Sequence, residues 1–588
     1  MWAFYPSRNE RDNNKRNRVG MQGNGGLVFF ASVLVFLAVD TRGFSAGFSG
    51  VSPSRIRNGV ATRNFQPNIP TRTTKHQRTH DHRYGDRCES FWASEGRLFS
   101  ASGQDTTDAG SPSPEEGAGT GKKILALAVP ALGALLVDPL LTIADTAFVG
   151  RYSTSPYELA GMGSASALLT FSFYVFNFLC TATTPLVASK RASGDEAGAL
   201  AVGGQALSLA LGLGTMLSGA LVLGQGPLLD LMGAGARTEG NEYASGFLAI
   251  RALAAPAVFC ISASTGILRG YLDTKTPIVV LFLANAVNFG LDVFLITILG
   301  LGPMGAAIAT TTAEWISALL FLFVLAGKLP SADGELGKKE DSSGTDALAV
   351  LPSLSIPAWE DVRPLIVASS SVFARSLVLQ LFLTAAAAFT TRDSTGSDGA
   401  SFISAHQIAI QLWMLCSYVS DALAAASQGL VADAIGRKAD DDVREISKTV
   451  FVYSAFLGVF LAGLLYIGFY PTESLIGFFT SDEGTQKALL EIAFLIVVSQ
   501  PLNSLVFAAD GVLQGASEFP YQAKSMALSG FVGSLVFFGL QSTGQCDNLF
   551  AVWASLICLQ LMRGITSAVK IVDDNGPIRL LLSEEDTN

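Results

Sequence analysis

The sequence predicts an all-α membrane protein: twelve transmembrane helices arranged as two pseudo-symmetric six-helix bundles. Three observations predict the twelve helices and the two halves. First, the 588-residue chain is 49% hydrophobic and only 15% charged, with a mean hydropathy of +0.40. Soluble domains carry about 25% charged residues. Second, twelve apolar segments are each long enough to cross about 30 Å of hydrocarbon as a helix. Backbone polar groups in lipid must bond internally, which favours helices over an open sheet. Third, sequence landmarks recur at a single offset.

Residues 1–121 read as a bipartite targeting presequence followed by a linker. Leu27–Val39 is a short apolar run of signal-peptide length. The stretch from Thr41 to His80 holds seven Lys/Arg and no acid, the composition of a transit peptide. Gly, Ser, Pro, Asp and Glu then dominate 96–121, as in a flexible linker. The expected destination is a plastid (chloroplast) envelope membrane.

The spans fall at roughly 123–148, 159–188, 198–223, 243–268, 277–301, 304–327, 363–390, 402–432, 447–470, 487–513, 522–541 and 548–570. They divide into an N-terminal bundle (122–328), an inter-lobe loop (329–361), a C-terminal bundle (362–572) and a polar tail (573–588). Loops after even-numbered spans carry thirteen Lys/Arg, among them Lys190, Arg191, Arg437 and Lys438, whereas loops after odd-numbered spans carry four. The positive-inside rule puts the even loops on the side from which insertion began.

Leu186-Val-Ala188 closes the second span and Leu430-Val-Ala432 the eighth, 244 residues apart. Gly266-Ile-Leu-Arg-Gly270 closes the fourth and Gly511-Val-Leu-Gln-Gly515 the tenth, 245 apart. A parallel repeat of this kind leaves a substrate path between the halves. At these offsets Asn177 pairs with Asp421, and Thr265 with Asp510.

Ionisable groups at membrane depth are functional candidates, because each costs about 3 kcal/mol to insert. The first span holds Asp138 and Asp145, seven residues apart and so nearly on one helical face. In the fifth span Asn285, Asn288 and Asp292 form one polar stripe at i, i+3 and i+7. Thr310, Thr311, Thr312 and Glu314 follow in the sixth. Carboxylates beside neutral oxygens serve a proton or a sodium ion equally well, and the residues leave that choice open. Interhelical hydrogen bonding is the structural alternative for the stripe. His406 and Gln407 open the eighth span; a lone His there is more often a hydrogen-bonding partner than a ligand. Arg251, Arg375 and Arg563 lie in or near spans, and the sequence assigns them no partner.

The composition excludes several classes. The net charge of −10 lacks any basic tract interleaved with aromatics, so no nucleic acid is expected. The six cysteines show no CxxC or metal-like clustering, so no metal or cofactor is expected. No HExxH, GxSxG or phosphate-cradling motif lies in the spans, so the chain is not read as an enzyme.

The Asp145-Thr-Ala-Phe-Val-Gly150 motif, the Asn288-x-x-x-Asp292 pair, Ala405-His-Gln-Ile-Ala409 and the two six-helix halves together resemble the multidrug and toxic compound extrusion (MATE) transporters. The DinF-like branch of bacteria and plastids is the most similar. The resemblance covers residues 122–572. It implies a V-shaped cavity that opens alternately to each side, and export of organic solutes against inward proton or sodium flow. It maps cation coupling to Asp145, Asn288, Asp292 and Thr310, and a conformational hinge to Pro130. Asp138, Asn177, His406, Gln407 and Asp421 are further candidates along the substrate path. The expected partners are the bilayer and a small organic solute, a cation or an aromatic acid, with the chain acting as a monomer. A lipid-linked-oligosaccharide flippase of the same superfamily is the first alternative, and a membrane-embedded enzyme the second.

Overall fold

The computed structural model describes residues 114–152, 156–176, 178–232, 240–327, 349–350, 352, 359–392, 397–470, 474–480, 482–543 and 548–573. The targeting segment, most of the inter-lobe loop and most of the tail lie outside these residues. So do Asn177 and the side chains of Asp138 and Asp145.

Sixteen α-helices are found among the described residues. They are α1 (Pro114–Tyr152), α2 (Pro156–Val175), α3 (Phe178–Ala192), α4 (Glu196–Leu223), α5 (Gln225–Leu231), α6 (Asn241–Ala252), α7 (Ala255–Gly270) and α8 (Lys275–Asp292). There follow α9 (Gly302–Leu325), α10 (Trp359–Arg392), α11 (Ser397–Gly436), α12 (Asp440–Phe469), α13 (Ser474–Phe479), α14 (Glu483–Gly515), α15 (Phe519–Thr543) and α16 (Asn548–Val572). Eleven candidate spans are long and apolar enough to cross a membrane, and α6 with α7 makes a twelfth, bent by 45°. All twelve sequence-read spans are therefore represented.

Three spans depart from the single regular helix that the sequence implied. The second of the twelve is divided into α2 and α3 with a turn at Phe176. The fourth breaks at Leu253–Ala254, two residues before Pro256, which sits in the first turn of α7. Proline cannot donate to the carbonyl four residues back, so a new helix starts there. Its counterpart at the 245 offset, Pro501, lies inside the continuous α14. The fifth span changes from α to π geometry at Val293–Ile298, directly after Asp292. Wide turns of this kind concentrate at functional sites.

The repeat is written into the backbone. Ser193 and Asp195 donate to the Ser189 and Lys190 carbonyls, and Arg437 and Ala439 to those of Asp433 and Ala434, 244 residues on. Gly194 (φ 82°) and Lys438 (φ 58°) turn the chain left-handed at the same offset. Leu272 (φ 58°) and Ser517 (φ 60°) do so at 245. Side-by-side packing repeats as well. A Cβ on Gly266 would stand 2.8 Å from the Cys180 carbonyl oxygen; one on Gly511 would stand 2.4 Å from that of Ala424. Helices in lipid lack a strong apolar drive to associate, so glycine at such contacts lets van der Waals packing do it.

The turns are not identical in chemistry. Asp195 caps α4 by accepting from the Gly198 amide, 2.9 Å, and from Lys190 Nζ, 2.8 Å. The Lys190 hydrogen bond, helped by the Gly198 amide, holds this carboxyl below the usual range. The equivalent Ala439 makes no side-chain cap.

The two halves meet on the side of the basic even-numbered loops. Gln428 Nε2 of α11 donates to the Thr181 carbonyl of α3, 2.7 Å. A Cβ on Gly436 would stand 2.4 Å from the Ser189 carbonyl oxygen. Ile124 and Ala128 of α1 are buried among Leu430, Val431, Val450 and Leu513 of the second half. Toward the opposite side, the described buried clusters around Val149 and Ile296, and around Trp413 and Trp553, are each drawn from one half. The halves thus close against each other at the basic loops and separate away from them.

Candidate functional site

In the first half, α1 packs against α8 and its π-helical extension, and α8 packs against α9. Register follows from close contacts. Gly133 of α1 lies against Ile278 of α8. Twelve residues on in these parallel neighbours, about 18 Å at 1.5 Å per residue, the backbone of 145 comes level with 290. Gly305 of α9 lies against Leu295. Five residues on, Thr310 also comes level with 290. The backbone therefore brings position 145, Asn288, Asp292 and Thr310 to one depth.

Asn288 is 0% exposed and Asp292 1% exposed. They are four residues apart and share the buried face of α8. Both polar side-chain atoms of Asn288 are buried and have no hydrogen-bond partner. An amide in that state costs about 1–3 kcal/mol relative to a satisfied one. Thr310 is half-buried and donates to the Ala306 carbonyl of its own helix, 2.8 Å. Its hydroxyl oxygen can still accept, or coordinate through a lone pair. Asn285, the outer member of the predicted stripe, donates to its own Leu281 carbonyl, 2.7 Å, and so separates from the pair. Pro130 lies inside α1 and leaves the Ala126 carbonyl without its intrahelical donor.

The second half carries a different polar centre. Arg375 Nη2 (α10) and Arg563 Nη2 (α16) both donate to Asp510 Oδ2 (α14). Gln522 Nε2 (α15) donates to Asp510 Oδ1, 3.2 Å. The network continues inward: Arg563 Nη1 donates to Gln560 Oε1, Gln560 to Asn503 Oδ1, and Asn503 Nδ2 to Ser417 Oγ at 3.0 Å. Sequence reasoning left these arginines unassigned. The available signal was Asp510 itself, an acid placed opposite neutral Thr265, which demands a counter-charge from its own half.

The remaining sequence candidates scatter. His406 is buried (3% exposed), edge-on to Trp553 with ring centroids 6.0 Å apart, and its Nδ1 has no hydrogen-bond partner. Gln407 and Asp421 are half-buried. Asp421 of α11 is within Coulombic range of Arg269, Arg375 and Asp510. Arg251, also without an assigned partner in the sequence, makes a two-pronged ion pair with Glu314 of α9. Glu314 is thereby neutralised away from Asn288 and Asp292. Among the described residues, no group of three or more His, Cys, Asp or Glu is placed to hold a metal ion.

The MatE family model matches residues 130–294 and 376–537, one stretch in each half. The chain belongs to the MatE (MATE) family of transporters. This family is not enzymatic. Protein DETOXIFICATION 44, chloroplastic, of Arabidopsis thaliana is 29% identical over 481 residues, covering 80% of this chain and 86% of the relative. DNA damage-inducible protein F of Escherichia coli is 26% identical over 452 residues, covering 76% and 91%. A solved MOP-superfamily transporter from Pyrococcus furiosus superposes with a TM-score of 0.65 at 18% identity, covering 76% of this chain and 94% of that one. The MATE resemblance, the DinF-like and plastid relatives, and the fold read from the sequence are all met by these findings.

Proposed function

We propose that this MATE protein is a secondary antiporter that exports a small organic solute in exchange for protons or sodium. One observation carries the proposal: Asn288, Asp292, Thr310 and position 145 share one depth inside an apolar bundle, with a buried amide that no protein group satisfies. Such a set stabilises a cation or a shared proton at little further cost, because its polar atoms are already withdrawn from water. Loading an ion removes buried negative charge around Asp145 and Asp292. The first half then repacks about Pro130, where the backbone ladder is already interrupted. The ion drives transport only through its different affinity for the two states.

The halves are joined at the basic loops, so this is the state whose chamber faces away from them. The presequence reading and the chloroplastic relatives support a plastid membrane as the site of action. The test is solute movement in vesicles of purified full-length protein, under an imposed proton gradient and, separately, an imposed sodium gradient. One gradient drives accumulation and the other does not. Equal transport with no gradient would remove the antiport reading.

A further inference from the structure

We propose that Arg251 and Glu314 are positioning residues for ion coupling. Their ion pair yokes α6, the part of the broken fourth span that lies away from the basic loops, to α9, the helix that carries Thr310. The inference rests on the antiport reading and names the part of the first half that an ion moves.

The contact is built around the break. α6 and α9 run side by side in the same direction, with Gly246 of α6 against Met304 of α9. At the end of α6, Thr311 Oγ1 donates to the Ile250 carbonyl, 3.4 Å, and Trp315 Nε1 to the Leu253 carbonyl, 3.2 Å. Arg251 lies between these two and grips Glu314 with two donors, one of them at 2.8 Å. Thr311, Glu314 and Trp315 are spaced i, i+3 and i+4, so one face of α9 holds the last turn before the bend. Thr310 is next to Thr311 and one turn from Glu314. The same stretch of α9 thus serves the cation site and the clasp.

Stability does not account for the charges. Each costs about 3 kcal/mol to insert at membrane depth, and a well-packed apolar pair is commonly as stable as a buried ion pair or more so. The threonine hydroxyl and the indole already satisfy carbonyls at the break. At the 245 offset the counterpart of Arg251 is Ile496, fully buried, so an apolar side chain fits this place in the fold. What the ion pair adds is hold. Two apolar side chains gain little from each other in lipid. A two-pronged guanidinium–carboxylate grip has long arms and a fixed direction, and it survives as the helix backbones shift.

The pair sits where the first half can bend. The second and fourth spans are interrupted, at Phe176 and at Leu253–Ala254, whereas their counterparts α11 and α14 are continuous. α2 is seated on the start of α6: a Cβ on Gly161 would stand 2.6 Å from the Gly240 carbonyl oxygen. α2, α6 and α9 therefore form one slab, in the half that holds Asn288 and Asp292. An ion that draws on the Thr310 oxygen displaces α9, the clasp carries α6 with it, and the bend at Leu253–Ala254 takes up the motion. Past the end of α2, Phe176 packs edge-on against Phe373 of the second half, 6.0 Å, so movement of the slab reaches the other half.

The test reads amide hydrogen exchange by mass spectrometry in full-length protein in nanodiscs. Sodium is added, and separately the sample is acidified, with rates corrected for the pH dependence of intrinsic exchange. The ion is the only probe, and no solute is needed. In the wild type the effective ion should change the exchange of α8 and α9, and that of α6 as well, by about fivefold or more. Arg251→Leu with Glu314→Leu leaves Thr311 and Trp315 in place. It should keep the melting temperature and the response of α8 and α9, and abolish that of α6. Arg251→Glu with Glu314→Arg should regain it. A role confined to stability predicts the reverse, a lower melting temperature with an α6 response of wild-type size, and that result would overturn the proposal. So would a wild type whose α8 and α9 answer the ion while α6 does not, a comparison that stands even if neither variant can be made. Wild-type protein in which no segment answers either ion would overturn the antiport reading and the clasp with it.

Discussion

Replacing Asp510 with Asn removes the negative charge that two buried guanidiniums share, while nearly keeping its volume. The carboxylate accepts from Arg375, from Arg563 and from Gln522 at 3.2 Å. An amide oxygen can keep one of these bonds, and its NH2 faces donors. Arg375, at 15% side-chain exposure, can turn toward the chamber, but Arg563, at 5%, cannot. The cost is therefore that of stranding one buried cation, about 3–5 kcal/mol. The melting temperature of the purified protein in detergent, alongside its yield in the membrane, reads this out. The partner experiment is Asp510→Asn with Arg563→Gln. Removing both charges should recover at least about 1 kcal/mol relative to the sum of the single changes, since residues in one network couple by 0.5–3 kcal/mol. A single Asp510→Asn variant as stable as wild type, or strict additivity in the cycle, would refute the reasoning.

Three further outcomes follow from the packing. Gly511→Ala puts a Cβ 2.4 Å from the Ala424 carbonyl oxygen and should cost about 1–3 kcal/mol in thermal unfolding; an unaltered melt would contradict the close helix contact. Lys438→Gly relieves a left-handed residue (φ 58°) that its repeat partner Gly194 already occupies as glycine, and should raise stability by up to about 1 kcal/mol. A decrease would show that the lysine makes up for the strain. Cysteines at Ala192 and Gly436, where the added Cβ stands 2.8 Å from that of Ala192, should oxidise to a disulfide after slight adjustment. The cross-link should stop turnover, with recovery on reduction; full transport by the oxidised protein would show that the basic-loop side need not open.

Periodicity and length made the helices legible, because a membrane span must be long, apolar and internally bonded. The seventh and eleventh segments, for example, emerge as the continuous helices Trp359–Arg392 and Phe519–Thr543. What periodicity could not carry is where a helix bends or widens. Pro256 breaks its span while Pro501 does not, and the π turn after Asp292 has no residue signature of its own. In the candidate site, the burial of Asn288 and Asp292 followed from their spacing. The departure of Asn285 from the stripe did not, because a side chain reaching its own backbone competes with a shared site at the same helical position. The arginine pairs were hidden for a simpler reason. Arg375 and Asp510 are 135 residues apart, and only the fold brings them together.

The central claim is that ion exchange in the first half drives transport, and Asp145→Asn tests it most directly. Vesicles of wild-type and variant protein would be compared for solute accumulation under the gradient that drives the wild type, with gradient-free counterflow measured in parallel. The account predicts a folded variant that loses gradient-driven accumulation while still exchanging solute down its own gradient. Accumulation at the wild-type rate would contradict it.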